Sequence, residues 1–211
     1  MKVFLVRHGQ SQDRVENKKQ SPHTPLSTLG LAQADAVAKR LQDEEIHLII
    51  SSTMNRALQT AEAIGSKLNI PLTQNDLIRE IGSPSLDGIL YSDPLHKEWS
   101  VEVGSNIANL DWKFRQNDES FRELLARANA FKTELVSKYQ SQNILLVSHG
   151  FFIICFLAVS ILGIDCPDKN LIQFLKYPAI KNTGISQLDY LEDEKVWRFN
   201  LLNDHLHIRG L

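Results

Sequence analysis

The chain has 211 residues and a mass of 23.9 kDa, which suits one α/β domain with a sizeable core. The chain has a net charge of -2, and its Lys and Arg residues are scattered along the sequence. It therefore lacks the basic face that nucleic-acid binding requires. Two cysteines, Cys155 and Cys166, have neither a disulfide pattern nor metal-ligand spacing, which favours a reducing, cytoplasmic location.

The first predicted element is a short apolar strand, Lys2 to Val6, which ends at Arg7-His8-Gly9. Runs of this length, rich in Leu and Val and bounded by glycine, are typical of buried parallel strands. The run is too short for the core of a signal peptide, so export is not expected. His8 is therefore predicted just beyond the carboxyl end of a strand, where open α/β sheets bind ligands.

Helices and strands then alternate. A helix begins after Ser27 or Thr28, its predicted caps, and its apolar face is formed by Leu31, Ala34, Ala38 and Leu41. A strand at 47–50 leads to a second helix. Its predicted caps are Ser51-Ser52-Thr53, and its apolar face is formed by Ala57, Ala61, Ile64 and Leu68. A weaker strand is predicted at 70–74.

From Gly82 to Asp118 the periodicity breaks up around prolines and glycines. We interpret this stretch, about 82–118, as a small helical or irregular cap inserted in a single domain that spans 1–211. Trp99 and Trp112 lie in the cap, where they either line an apolar substrate subsite or pack the cap itself.

A long helix from about Phe121 to Tyr139 precedes a second short strand, Asn143 to Val147, which ends at Ser148-His149-Gly150. The apolar stretch 144–164 is long enough for a membrane span. It contains His149 and Gly150, however, and is better divided into strand, turn and helix, so no membrane association is expected. Strands at 184–190 and 196–201 complete the pattern. The prediction is a three-layer α/β/α sandwich with a mostly parallel central sheet and a final antiparallel ribbon.

Several motifs, taken in chain order, resemble the histidine phosphatase superfamily in its phosphoglycerate mutase-like branch (branch 1). They are Arg7-His8-Gly9-Gln10-Ser11, Thr24-Pro25-Leu26-Ser27 with Gly30 and Gln33, Ser51-Ser52 with Arg56-Ala57 and Gln59-Thr60-Ala61, Glu80, and Ser148-His149-Gly150. The chain departs from the family near Glu80, where a usual glycine and tryptophan appear as Pro84 and Leu86. The sister branch of acid phosphatases is disfavoured, because Ser11 and Gly150 replace its arginine and acid.

The resemblance implies a role for each motif residue. His8 is the nucleophile that becomes a phosphohistidine, and Glu80 is the general acid and base. Arg7, Arg56 and His149 contact the phosphoryl group, and a helix that begins at Gly150 adds its positive end. For attack, one nitrogen of His8 must be unprotonated, and we expect a backbone carbonyl to hold the other.

Three further residues are weaker candidates for substrate binding. Gln10 and Ser11 can donate hydrogen bonds to phosphate oxygens. Arg14 stands where the family often has an asparagine that contacts phosphate. It either binds a second acidic group of the substrate or points into solvent.

These observations predict a phosphomonoester hydrolase that acts on a small phosphorylated metabolite and needs no metal and no cofactor. The short cap favours a phosphatase over a cofactor-dependent phosphoglycerate mutase. The other alternative is a catalytically weak phosphate-binding or phosphoprotein-directed regulatory module. The sequence identifies neither the phosphomonoester nor the oligomeric state.

Overall fold

The core of the protein is a mixed sheet, seen in a computed structural model that describes residues 1–176 and 179–211. In chain order its strands are β1 (Lys2–Arg7), β2 (Leu48–Ser51), β3 (Leu72–Gln74), β4 (Ile144–Ser148), β5 (Ile185–Leu191) and β6 (Val196–Asp204). Across the sheet the order is β3-β2-β4-β1-β5-β6. The strands from β3 to β1 pair in parallel, and β5 and β6 are added in antiparallel orientation.

Helices cover both faces of the sheet. In chain order they are α1 (Gln12–Val15), α2 (Thr28–Arg40), α3 (Asn55–Leu68), α4 (Pro94–Asn106), α5 (Phe121–Lys138), α6 (Gly150–Ile161) and α7 (Asp168–Lys176). Successive residues of β4 enter different cores: Leu146 packs in a cluster with α5 and α6, whereas Leu145 packs in one with α2 and α3. This confirms the three-layer α/β/α sandwich. None of the described helices is both long and apolar enough to cross a membrane.

The register of the central strands positions the candidate site. β1 pairs with β4 so that Arg7 lies opposite Ser148, and both strands end at the same edge of the sheet. Residues 3–6 of β1 and 144–147 of β4 are all apolar because helices bury both faces of these strands. His8 follows β1 and His149 is the N-cap residue of α6, so parallel pairing alone brings the two histidines together.

The helices α1 and α7 were not predicted from the sequence, and α4 lies in the stretch that was predicted only as a helical or irregular cap. α4 begins at a strong local signal, since the side chain of Asp93 accepts from the backbone N–H of Leu95 and Pro94 occupies the first turn. However, α4 buries no residue and so lacks the apolar face that predicts a helix. α7 does have an apolar face, formed by Leu171, Ile172, Phe174 and Leu175 against the core, but it is only nine residues long. α1 is only four residues long.

Two local predictions, the cap of α3 and the apolar face of α2, were wrong. The N-cap of α3 is Met54, whose side chain makes no capping hydrogen bond, and not one of the residues Ser51-Ser52-Thr53. Leu31 is 53% exposed and does not belong to the buried face of α2. The residue before it, Gly30, faces the loop that follows β1. This loop approaches α2 so closely that a Cβ on Gly30 would collide with the carbonyl oxygen of Gln10.

Candidate active site

The ring of His8 is buried, with 1% exposure, and its tautomer is fixed by its two partners. Nδ1 lies 2.7 Å from the carbonyl oxygen of Gly9, which can only accept a hydrogen bond, so Nδ1 carries the hydrogen. Nε of Arg56 donates to Nε2 of His8 at 3.2 Å, so Nε2 presents its lone pair. A backbone carbonyl therefore holds the ring, as expected from the sequence, and leaves Nε2 as the available nitrogen.

Arg56 is a buried guanidinium in the first turn of α3. Besides His8, it donates through Nη1 to the carbonyl oxygen of Ser21 at 2.8 Å and contacts the sulfur of Met54 through Nη2. Burial lowers the pKa of Arg56 to about 10, so it remains a cation at neutral pH. Thr60 completes this support, because its hydroxyl donates to the carbonyl oxygen of Arg56 and accepts from the N–H of Gly9.

His149 lies beside His8, with 5.1 Å between the ring centroids. Its Nε2 is 2.8 Å from the hydroxyl oxygen of Ser52, the residue that follows β2. That hydroxyl already accepts from the N–H of Met54, so its own hydrogen can point to His149. Ser52 was predicted only as a helix cap, so its contact with His149 was not expected.

Two buried polar atoms at this edge have no hydrogen-bond partner among the described residues. They are Nε of Arg7 and Nδ1 of His149. Arg7 is held at its other end, where Nη1 donates to the carbonyl oxygen of Ile180 at 2.6 Å. Buried polar atoms without partners are rare, and at a pocket they indicate groups that a ligand engages.

Glu80 faces the amino-terminal end of α6. Its carboxylate accepts hydrogen bonds from the backbone N–H groups of Ile81, Phe151 and Phe152, at 3.1 to 3.3 Å. The backbone that carries Glu80 is clamped by Arg127, which donates to the carbonyl oxygens of residues 77, 79 and 80. The backbone N–H groups of Phe151 and Phe152, in the first turn of α6, thus bind Glu80, although the end of this helix was predicted to act on the phosphoryl group.

The loop that carries His8 is fixed from two further directions. Gly9 approaches Gly30 so closely that a Cβ at residue 9 would lie 2.5 Å from the carbonyl oxygen of Gly30. On the other side, the amide of Asn182 donates to the carbonyl oxygen of His8 at 2.9 Å. Asn182 was not predicted, because it lies in a loop before β5 with no local signal in its sequence.

Next to this site lies a cavity of about 760 Å³, and the buried rings of His8 and His149 are not part of its lining. Its walls include the predicted site residues Arg7, Arg14, Arg56 and Glu80. Gln10 and Ser11 are engaged within the protein instead: the amide oxygen of Gln10 accepts from the hydroxyl of Ser27 at 2.8 Å, and the hydroxyl of Ser11 accepts from Gln20. Arg14 is exposed and donates to the hydroxyl of Tyr91 at 2.8 Å. Among the described residues, no cluster of His, Cys, Asp and Glu could hold a metal ion.

We expect the two buried histidines to make the fold sensitive to mild acid. Burial, with the positive charge of Arg56 as the next cause, holds the pKa of His8 and of His149 well below the ordinary value of 6.5. In the unfolded chain both rings take up a proton as the pH falls through 6.5, whereas in the folded chain they do not. Stability therefore falls with pH below this value, by up to about 1.4 kcal/mol per pH unit for each ring.

Urea unfolding at pH 7, 6 and 5 measures this slope. His8→Gln should flatten it, and His23→Gln, at an exposed histidine, should not. Equal slopes in wild type and His8→Gln would contradict the assignment of a neutral buried ring at His8.

The family model and the curated relatives that match this chain agree with one another. The model of the histidine phosphatase superfamily (branch 1) matches residues 3–205. A curated relative from Yersinia pestis (strain Pestoides F), named probable phosphoglycerate mutase GpmB, is 26% identical, and the match covers 99% of this chain and 95% of the relative.

Solved structures share the fold over nearly the whole chain. The alpha-ribazole phosphatase from Shigella flexneri has a TM-score of 0.78 at 26% identity, covering 97% of this chain and 96% of that one. Bacillus stearothermophilus YhfR has a TM-score of 0.84 at 24% identity, covering 98% of both chains. A mycobacterial glucosyl-3-phosphoglycerate phosphatase, Rv2419c, has a TM-score of 0.82 at 23% identity, covering 97% and 99%.

Proposed function

Because the chain belongs to branch 1 of the histidine phosphatase superfamily, we propose that it hydrolyses phosphomonoesters of small metabolites through a phosphohistidine at His8. The observation that carries this proposal is the state of the His8 ring. Its Nδ1–H is tied to a carbonyl, its Nε2 lone pair is unprotonated, and a guanidinium adjoins that nitrogen. A neutral imidazole in this tautomer is ready to attack phosphorus at neutral pH.

In the first half-reaction, Nε2 of His8 forms a bond to phosphorus and the phosphorus–oxygen ester bond breaks. The leaving oxygen takes a proton from Glu80 in its carboxylic acid form. Nε of Arg56, which points at Nε2 in the resting site, moves its hydrogen bond to a phosphoryl oxygen as the lone pair is used. The products of this step are a free alcohol and a phosphohistidine.

In the second half-reaction, the Glu80 carboxylate takes a proton from a water molecule while the water oxygen bonds to phosphorus. The phosphorus–nitrogen bond breaks, inorganic phosphate is released, and His8 returns to its neutral form. The hydrogen bonds from α6 and the Arg127 clamp support this role, because they hold the carboxylate in one position through both steps.

The phosphoryl oxygens are proposed to bind the donors that have no partner within the protein. If the hydroxyl of Ser52 donates to Nε2 of His149, that nitrogen is the acceptor of the neutral ring, so Nδ1 carries the hydrogen. Nδ1 of His149 and Nε of Arg7 are then both donors for the phosphoryl oxygens. Phosphoryl transfer depends on positioning and charge stabilisation, which a pair of guanidiniums and an imidazole N–H supply. The site so described uses no metal, and we further propose a cytoplasmic location.

The proposal is tested by incubating the protein with p-nitrophenyl phosphate and a panel of sugar phosphates, phosphoglycerates and nucleotides, in the presence of a chelator. We expect chelator-resistant release of inorganic phosphate from p-nitrophenyl phosphate and from at least one metabolite. Turnover of no phosphomonoester would instead favour the phosphate-binding regulatory module.

A phosphoglycerate mutase is the second candidate, and the name of the Yersinia relatives favours it. A mutase returns the phosphoryl group from the histidine to a retained intermediate, whereas a phosphatase passes it to water. With 3-phosphoglycerate and catalytic 2,3-bisphosphoglycerate, a mutase forms 2-phosphoglycerate faster than phosphate. We expect phosphate release to dominate.

A further inference from the structure

Some cations on the wall of the cavity do not adjoin the histidines and form no ion pair. Some of its cations are neutralised by carboxylates within 4.0 Å: Arg79 by Asp76, Lys113 by Glu123 and Arg127 by Glu119. Within the described parts of the chain, other lining cations have no carboxylate at that distance, namely Arg7, Arg14, Lys19 and Arg56. Arg7 and Arg56 adjoin the histidines, which leaves Arg14 and Lys19 as cations without a carboxylate partner. The same wall also carries three carboxylates that form no ion pair with the described residues, those of Glu80, Asp87 and Asp118.

Arg14 and Lys19 belong to a wall that backbone hydrogen bonds hold together. The N–H of Tyr91 donates to the carbonyl oxygen of Asn17 at 2.8 Å. The N–H of Lys19 donates to the carbonyl oxygen of Ile89, also at 2.8 Å. Residues 17–19 and 88–91 therefore run side by side as a short ribbon. The geometry is preorganised, so a ligand that binds here does not have to order the loops first.

Aromatic side chains from the cap segment hold the two cations in place. The guanidinium of Arg14 donates to the hydroxyl of Tyr91 and lies 5.5 Å from its ring centroid. Nζ of Lys19 lies 4.5 Å from the ring centroid of Trp99, on α4. His96 bridges the two aromatic rings, with centroid distances of 4.8 Å to Tyr91 and 5.1 Å to Trp99.

Each of these groups retains free hydrogen-bond donors. Arg14 uses Nη1 on Tyr91, which leaves its Nε and Nη2 hydrogens. Tyr91 accepts from Arg14, so its own hydroxyl hydrogen remains available. Burial lowers the pKa of Lys19, but the charges of Glu80, Asp87 and Asp118 act in the opposite direction and favour its ammonium form.

We propose that Arg14, Lys19 and Tyr91 form a second anion subsite, so that the substrate is a phosphomonoester carrying another acidic group, either a carboxylate or a second phosphate. This inference rests on the proposed function, because it assigns the reacting phosphoryl group to Arg7, Arg56 and the histidines. A planar guanidinium and an ammonium together suit an anionic oxygen pair.

The test compares substrate pairs that differ only in the second acidic group. One pair is 3-phosphoglycerate and glycerol 3-phosphate, and the other is fructose 1,6-bisphosphate and fructose 6-phosphate. The readout is the ratio of kcat/KM within each pair for wild type, Arg14→Gln and Lys19→Met. Lys113→Met is the matched control, because Lys113 lines the same cavity but is paired with Glu123 at 2.6 Å.

We expect wild type to prefer the doubly acidic member of at least one pair by about tenfold or more, the effect of one or two charge-assisted hydrogen bonds. Arg14→Gln and Lys19→Met should each reduce this ratio several-fold, and Lys113→Met should preserve it. The pair that responds distinguishes a carboxylate from a second phosphate. Turnover with no preference in either pair, or a preference that neither variant reduces, would overturn the subsite while leaving the phosphatase intact.

Calorimetric binding separates this inference from the catalytic proposal. The same four compounds are titrated into His8→Ala, with and without Arg14→Gln or Lys19→Met, so that turnover plays no part. Tighter binding of the doubly acidic compound, lost in the double variants, would support the subsite even if wild type hydrolysed none of them. Equal binding of both members of each pair would count against it.

Discussion

His8→Ala is expected to lower kcat/KM for phosphomonoesters on the order of 10⁵-fold, the size of effect seen when an enzyme loses its nucleophile. Alanine removes Nε2, which is the atom proposed to form the bond to phosphorus, and no described neighbour offers an equivalent. The ring of His149 is close, but its Nε2 is engaged with Ser52. Release of p-nitrophenol measures the rate, and rapid acid-free quenching measures the acid-labile phosphoryl adduct, which should vanish.

The control for this variant is His23→Ala, because His23 is an exposed histidine whose loss should change neither rate nor adduct. Urea unfolding of His8→Ala at pH 7 verifies that the loss is chemical. Folded His8→Ala that still formed the acid-labile adduct would place the nucleophile elsewhere.

Glu80→Gln is expected to lower kcat by about 10²- to 10⁴-fold, the usual contribution of general acid–base catalysis. With p-nitrophenyl phosphate, the second half-reaction should be slowed more than the first, because p-nitrophenolate leaves without needing a proton. Attack by water, by contrast, needs a base. The result should be an initial burst of p-nitrophenol, a slow steady state and an accumulated phosphohistidine.

Asp76→Asn is the matched control, since Asp76 also lines the cavity but forms an exposed pair with Arg79. Its progress curve should remain linear. If Glu80→Gln showed no burst and an unchanged steady-state rate, the base would have to be sought among the other acidic residues of the cavity wall, such as Asp87 or Asp118.

The sandwich and the two histidine strands could be predicted because their physics is local. A strand buried on both faces is a short, uniform apolar run, and both β1 and β4 end at a histidine followed by glycine. Once two such strands are parallel neighbours, the meeting of His8 and His149 follows from topology. The family resemblance added Arg56 and Glu80, which the structure also places at this edge.

The parts that escaped prediction depend on contacts between distant segments. Lys19 and Tyr91 are polar or isolated in sequence, and they meet only through backbone hydrogen bonds between two loops. Ser52 carries the same hydroxyl whether it caps a helix or contacts His149, so its residue type cannot separate the two uses. The bounds of α4 were missed because an exposed helix needs no apolar periodicity. Gln10 and Ser11 were predicted to bind substrate because their partners within the protein, Ser27 and Gln20, lie far from them in sequence.

The position of β1 in the sheet has a consequence for biosynthesis. Its neighbours are β4 and β5, so the strand made first can pair only with residues 144–148 and 185–191. At ordinary translation speeds, the first of these partners, β4, is complete only about 7 to 30 s after residues 2–7 have been made. During this interval the apolar side chains of Val3 to Val6 have no sheet to join, and the nascent protein offers a binding segment to chaperones before it has any capacity for chemistry.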